Sequence, residues 1–78
     1  MTVDQLRGVR DASPFQPFVI HLADGRSFRV MHRDYLLISP GGRTAIVYHT
    51  DEAFSILDLL LVTELTVEAP TAKTDGVA

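Results

Sequence analysis

The chain has no cysteine, no asparagine and a single lysine, and no apolar run, Leu59 to Val62 being typical, exceeds four residues. Without cysteine there is no disulfide framework, no thiol nucleophile and no cysteine-rich metal cluster, a usage compatible with a reducing compartment. Such runs fall far short of the roughly 20 residues a membrane-spanning helix needs, and no basic-then-apolar leader opens the sequence. We therefore expect a soluble, cytoplasmic protein with no membrane partner. Six arginines accompany the lone lysine against ten acids, giving a formal net charge of -3. That balance argues against a generic nucleic-acid coat. Also missing are a nucleophile elbow and a glycine-rich phosphate loop ahead of a helix. Ser27, Ser39 and Ser55 fall in strand or turn patterns, and Pro40-Gly41-Gly42-Arg43 reads as a hairpin turn. We expect no enzyme and no cofactor.

What is present is ample hydrophobic material, 46% of 78 residues, for one domain near the lower size limit of independent folding. Small domains without covalent or metal staples commonly self-associate, so a homo-oligomer is expected. Charge is unevenly spread: residues 1–43 hold six arginines against four aspartates, and the remainder holds Lys73 against six acids. Halves of opposite sign fit complementary charge across a subunit contact or a local basic face, and equally well two halves interleaved in one compact fold.

The strongest local signal runs from Pro17 to Val30, two alternating apolar runs around Asp24-Gly25. A two-residue loop would pair Ile20 with Arg29 and mix apolar and polar side chains on both faces. A three-residue loop, Ala23 to Gly25, places the glycine at the left-handed position and sets Phe18 against Val30 and Ile20 against Phe28. One face is then apolar, and the other carries Val19, His21, Ser27 and Arg29.

Upstream, Thr2 and Gln5 form a Thr-x-x-Gln capping box. Val3, Leu6, Val9 and Ala12 follow at helical spacing, and Pro14 ends the helix by about Ala12. Downstream, Met31 to Asp34 is a polar corner. Tyr35 to Ser39 reads as a strand covered on both sides, and Arg43 to His49 as a strand whose Ala45 and Val47 oppose Ile46 and Tyr48. Phe54 to Ile56 is a short strand, Asp58 to Leu61 a tight helical turn, and Leu61, Thr63, Leu65 and Val67 alternate with Val62, Glu64 and Thr66 in a last strand. Residues 69–78 lack any apolar period and are expected to be disordered. The domain is thus expected over 1–68, mainly β: an N-terminal helix, then a small, strongly bent antiparallel sheet or barrel of five to six strands.

The strings Pro14-Phe15-Gln16-Pro17-Phe18-Val19-Ile20-His21-Leu22-Ala23-Asp24-Gly25-Arg26, His32-Arg33-Asp34-Tyr35-Leu36, Ser39-Pro40 and Ile56 to Thr63 together resemble a group of short bacterial proteins that carries no assigned activity. The likeness covers nearly all but the tail. More loosely, an N-terminal helix, a strand ending in Leu-Ala-Asp-Gly-Arg and a short final strand are similar to the Sm-like small barrels, so an Sm-like or SH3-like barrel is implied. That resemblance further implies ring assembly and RNA binding. His32-Arg33-Asp34-Tyr35 stands where the Sm-like family places an Asp-x-x-x-Asn loop, and Leu57-Asp58 where it places Arg-Gly.

Two candidate surfaces emerge. Leu59, Leu60, Val62 and Glu64, in the leucine-rich turn and the edge of the last strand, are candidates for an oligomer interface, because one small core can hardly absorb every leucine there. His21, Arg29, Arg33 and Tyr35 are candidates for a face that binds RNA or single-stranded nucleic acid, arginine neutralising phosphate and tyrosine stacking on a base. Each has an ordinary alternative, burial beneath the helix for the first and a plain solvated sheet face for the second. His21, His32 and His49 offer two His-x-Asp pairs, His32 with Asp34 and His49 with Asp51, each of which would need a third ligand from elsewhere to hold a metal, and no metal is expected. The expected function is a non-catalytic module that self-associates through its C-terminal strand edge, the alternative being RNA binding.

Overall fold

A computed structural model describes residues 2–50 and 52–68; the tail expected to be disordered lies outside the described residues. The chain folds into one N-terminal helix, α1 (Val3–Arg10), and six strands: β1 (Phe18–Leu22), β2 (Ser27–Val30), β3 (Leu36–Ile38), β4 (Thr44–Tyr48), β5 (Phe54–Asp58) and β6 (Val62–Val67). The fold is mainly β, as expected. Its strands form two antiparallel three-stranded sheets, in the orders β2-β1-β6 and β3-β4-β5, and do not close into a barrel.

The capping box forms as the sequence dictates. The Thr2 amide donates to Gln5 Oε1 at 2.8 Å, and the Gln5 amide donates back to Thr2 Oγ1 at 3.2 Å. Eight residues make a marginal helix in isolation, so α1 depends on the sheets it touches. Leu6 is fully buried, with Val3 and Val9 packed beside it. Ala12 is exposed beyond the Asp11 cap, and the apolar stripe is therefore one position shorter than its spacing suggests.

The hairpin adopts the three-residue loop. Phe18 pairs with Val30 and Ile20 with Phe28, and Gly25 stands at φ 94°. The Gly25 amide donates to the Leu22 carbonyl at 3.0 Å, and the Asp24 carboxylate braces the turn by accepting from the Arg26 amide and guanidinium. These bonds, the backbone one first, hold the Asp24 carboxyl below its usual range.

Phe18, Ile20, Leu22, Val30 and Val62 from the first sheet meet Leu36, Ala45, Val47 and Leu57 from the second, with Leu6 and Leu59 joining them. Two expectations fail in detail. The strand expected over Tyr35 to Ser39 is only Leu36–Ile38, because Arg33–Tyr35 tighten into a 3-10 turn, and Leu37 is 52% exposed rather than covered. Alternation in the last strand also breaks. Leu22 pairs with Val62 but His21 pairs with Glu64, so Thr63 is an extra residue in a β-bulge. The bulge turns Val62 inward along with Leu65, whereas strict alternation puts them on opposite faces.

Candidate interaction surfaces

The interface proposed from the leucine-rich segment divides in two. Leu59–Leu61 form a 3-10 turn capped by Asp58, whose Oδ1 accepts the Leu60 amide at 2.9 Å. This short turn sends successive leucines in different directions: Leu59 and the following Val62 are 7% exposed and belong to the core, while Leu60 is 70% and Leu61 41% exposed. Leu59 and Val62 are therefore not free for a partner. Glu64 is exposed on the outer face opposite His21.

Beside this turn β6 is an edge, paired only with β1 among the described strands. The Glu68 amide donates to the Pro17 carbonyl at 2.9 Å. By antiparallel alternation the amides of Leu65 and Val67 then point away from β1, toward the open edge. Alongside runs a largely apolar groove of about 520 Å³ between α1 and β6, lined by Gln5, Gly8, Val9, Ala12, Leu65 and Val67, with Gln16 at one end. Nothing lies within 4 Å of where a Gly8 side chain would begin, so the helix wall is open at that point. An edge strand with outward amides and an apolar trough beside it suits strand addition, in which backbone bonds supply attachment and alternate side chains fill the trough.

The candidate nucleic-acid residues do not form a free cationic face. His21 lies on the outer face of β1 between Ser27 and Glu64, its Nε2 3.0 Å from Thr66 Oγ1. Arg29 lies across Val19 from Thr66, with its guanidinium clamped on Glu68 at 2.6 and 2.7 Å. Those hydrogen bonds, and then the opposite charge, hold the Glu68 carboxyl below its usual range. Arg33 turns to the N-terminal segment, donating to the Ala12 carbonyl at 2.7 Å with its guanidinium 5.8 Å from the Phe15 ring centre. Tyr35 sits half-buried in the 3-10 turn, edge-on to His32. The hairpin pattern placed His21 and Arg29 on one face correctly; it carried no sign of Glu68, which arrives from the far end of the chain.

Among the described residues no three of His, Asp and Glu gather where a metal would sit. His49 Nε2 and Ser55 Oγ are 2.7 Å apart across the β4–β5 connection, and the His49 ring lies against Phe28, 5.8 Å between centres. Ser39 braces the preceding turn, its Oγ accepting the Arg43 and Thr44 amides.

The surface that sequence reasoning missed is the outer side of the second sheet, where Leu37, Phe54 and Ile56 are each more than half exposed. A signal for it was present in the sequence. Ala45 and Val47 claim one face of β4 and Ile46 and Tyr48 the other, so this strand is apolar on both sides where a solvated sheet alternates. Compared with protein-family models, with curated proteins and with solved structures, the chain matches none at a significant level.

Proposed function

We propose that this chain is a non-catalytic interaction module that self-associates through the free edge of β6, with the exposed Leu60–Leu61 turn beside it. In this reading the two sheets are the halves of one bent, partly open Sm-like or SH3-like barrel, joined through the corner between Val30 and Leu36. The observation that carries it is the β6 edge itself. Six residues long, with outward amides and an apolar groove along one side, it contains no lysine or proline, and among the described residues no loop covers it, so the usual devices that blunt an exposed strand are not found there. A soluble protein that keeps such an edge has something to pair it with.

The test is sedimentation velocity on the full chain over a concentration series, recorded at 260 and 280 nm together, with Val67→Pro and Leu60→Asp alongside. Proline at a position whose amide faces away from β1 preserves the internal ladder and removes an edge donor. We expect concentration-dependent association in the parent chain and a loss of roughly tenfold or more in each variant, with thermal midpoints little changed. A parent chain that stays monomeric overturns the reading. Co-sedimenting 260 nm absorbance that Arg29→Glu with Arg33→Glu abolishes would favour RNA binding instead; the pairing of Arg29 with Glu68 weighs against that outcome.

A further inference from the structure

The two sheets treat their outer faces differently. On β2-β1-β6 the outer face carries Arg29, Ser27, His21, Glu64 and Thr66 around Val19, a solvated surface. On β3-β4-β5 the cross-strand pairs set Leu37, Ile46 and Ile56 in one row across the middle of the outer face, and Tyr48 beside Phe54 in the next. The Tyr48 and Phe54 rings lie 5.6 Å apart. Leu37 is 52%, Phe54 52% and Ile56 65% exposed. Among the described residues no charged side chain is paired within either row, and the charges border the face: Asp58 lies opposite Thr44 in the row toward the β3–β4 turn, Arg43 lines a hollow with Ile56, and Asp34 borders both Leu37 and Tyr48. One sheet of a chain with a sound polar alternation elsewhere thus shows water the kind of surface that belongs between two layers.

We propose that this face packs on the same face of a second copy, forming an isologous dimer of two stacked sheets. This surface and its symmetry are distinct from the β6 edge, and the proposal does not depend on that reading. Area supports a second copy. Leu37, Phe54 and Ile56 with half-buried Ile46 and Tyr48 expose on the order of 450 Å² per copy, so two copies bury about 900 Å² of apolar surface before their polar margins are added. That alone falls just short of the lower bound of specific interfaces, near 1,000 Å² in total, which the polar margins are needed to reach, and it implies a weak dimer.

The rows also choose the two-fold axis. An axis running across the strands lays the Thr44–Asp58 row of one copy on the aromatic row of the other and buries a carboxylate without a partner. An axis parallel to β4 keeps aromatic on aromatic and polar on polar. It sets Leu37 against Ile56 of the second copy, Ile46 against itself, and the two Asp58 residues at opposite margins, away from each other. Sheets stacked in this aligned way sit about 10 Å apart.

The geometry makes a reciprocal test. Leu37→Glu and Ile56→Lys, purified separately as full chains, each place two unmatched charges in their homodimer; mixed in equal amounts, they set glutamate against lysine at one contact and restore leucine against isoleucine at the other. We expect each variant alone to weaken association roughly 30-fold or more in sedimentation, and the mixture to recover to within a few-fold of the parent chain. Since the parent chain has no cysteine, Ile46→Cys provides a second readout that needs no buried charge. A bismaleimide spanning about 10 Å should link it to itself across the axis, while Ser27→Cys, on the outer face of the other sheet and away from β6, should stay unlinked. A mixture no better than its components, or equal linking of the Ile46→Cys and Ser27→Cys chains, overturns the proposal. Association lost in Val67→Pro and untouched by Leu37→Glu would also overturn it, and would leave the β6-edge reading standing.

Discussion

Gly25 and Gly42 offer a controlled measurement of how firmly α1 is seated. Both have positive φ, 94° and 76°, so alanine at either position strains the backbone by about 1–2 kcal/mol. Their surroundings differ. A Cβ on Gly25 meets nothing within 4 Å, whereas one on Gly42 lies 3.2 Å from Val3 Cγ1 and 3.4 Å from Val3 Cβ and Cγ2. Val3 begins α1, and its branched side chain has little rotamer freedom in a helix, so the conflict is relieved only by moving the helix end. We expect Gly42→Ala to cost about 1 kcal/mol more than Gly25→Ala. In a domain of this size that difference lowers the thermal midpoint by a further ~4–8 °C. Adding Val3→Ala to Gly42→Ala should recover a coupling of roughly 0.5–1 kcal/mol, read by urea unfolding followed through far-ultraviolet circular dichroism. Equal costs for the two glycines with no coupling to Val3 would refute the reasoning: α1 would not rest on the β3–β4 turn, and the groove beside β6 would lose a wall.

Ile20 is fully buried in the central strand of its sheet, and Ile20→Ala should cost about 2–5 kcal/mol, enough to leave a domain this small largely unfolded in thermal and denaturant melts. Asp58→Ala removes the acceptor for the Leu60 amide and should cost about 1 kcal/mol, with retained native circular dichroism distinguishing a lost cap from a lost fold. The Glu68 carboxyl is held below its usual range by Arg29, so the unfolded chain takes up that proton at higher pH than the folded one. The pair's contribution is complete above the ordinary glutamate pKa and disappears as pH falls through the lowered folded value. Thermal midpoints followed down to about pH 3 should therefore fall less steeply on acidification in Glu68→Gln than in the parent chain, and identical acid limbs would contradict the assignment.

Local chemistry was legible in the residues because its causes lie within a few positions of one another. The hairpin register follows from the conflict between apolar and polar faces and from one glycine able to take positive φ. The capping box follows from Thr2 and Gln5 three residues apart, and the turn after Asp58 from an acceptor placed just before the leucines. The mainly β class followed from runs too short and too alternating for helices. Tertiary structure decided the rest. The bulge at Thr63 depends on how β6 must meet β1 across more than forty residues, and only that pairing turns Val62 into the core beside Leu65. Which of three consecutive leucines is buried depends on a single helical turn, in which one residue more or less rotates a side chain from core to solvent. Glu68 reaches Arg29 only because β1 lies between β2 and β6, so the charge on the hairpin face could not be counted from the hairpin. Leu37 looked covered because bulky neighbours surround it in sequence; in the fold one side of its strand has a sheet to pack on and the other has none among the described residues. Spacing along a chain sets which side chains share a face except where strand pairing inserts a bulge, as at Thr63, and only the assembled sheets determine whether that face meets a core, a counter-charge or water.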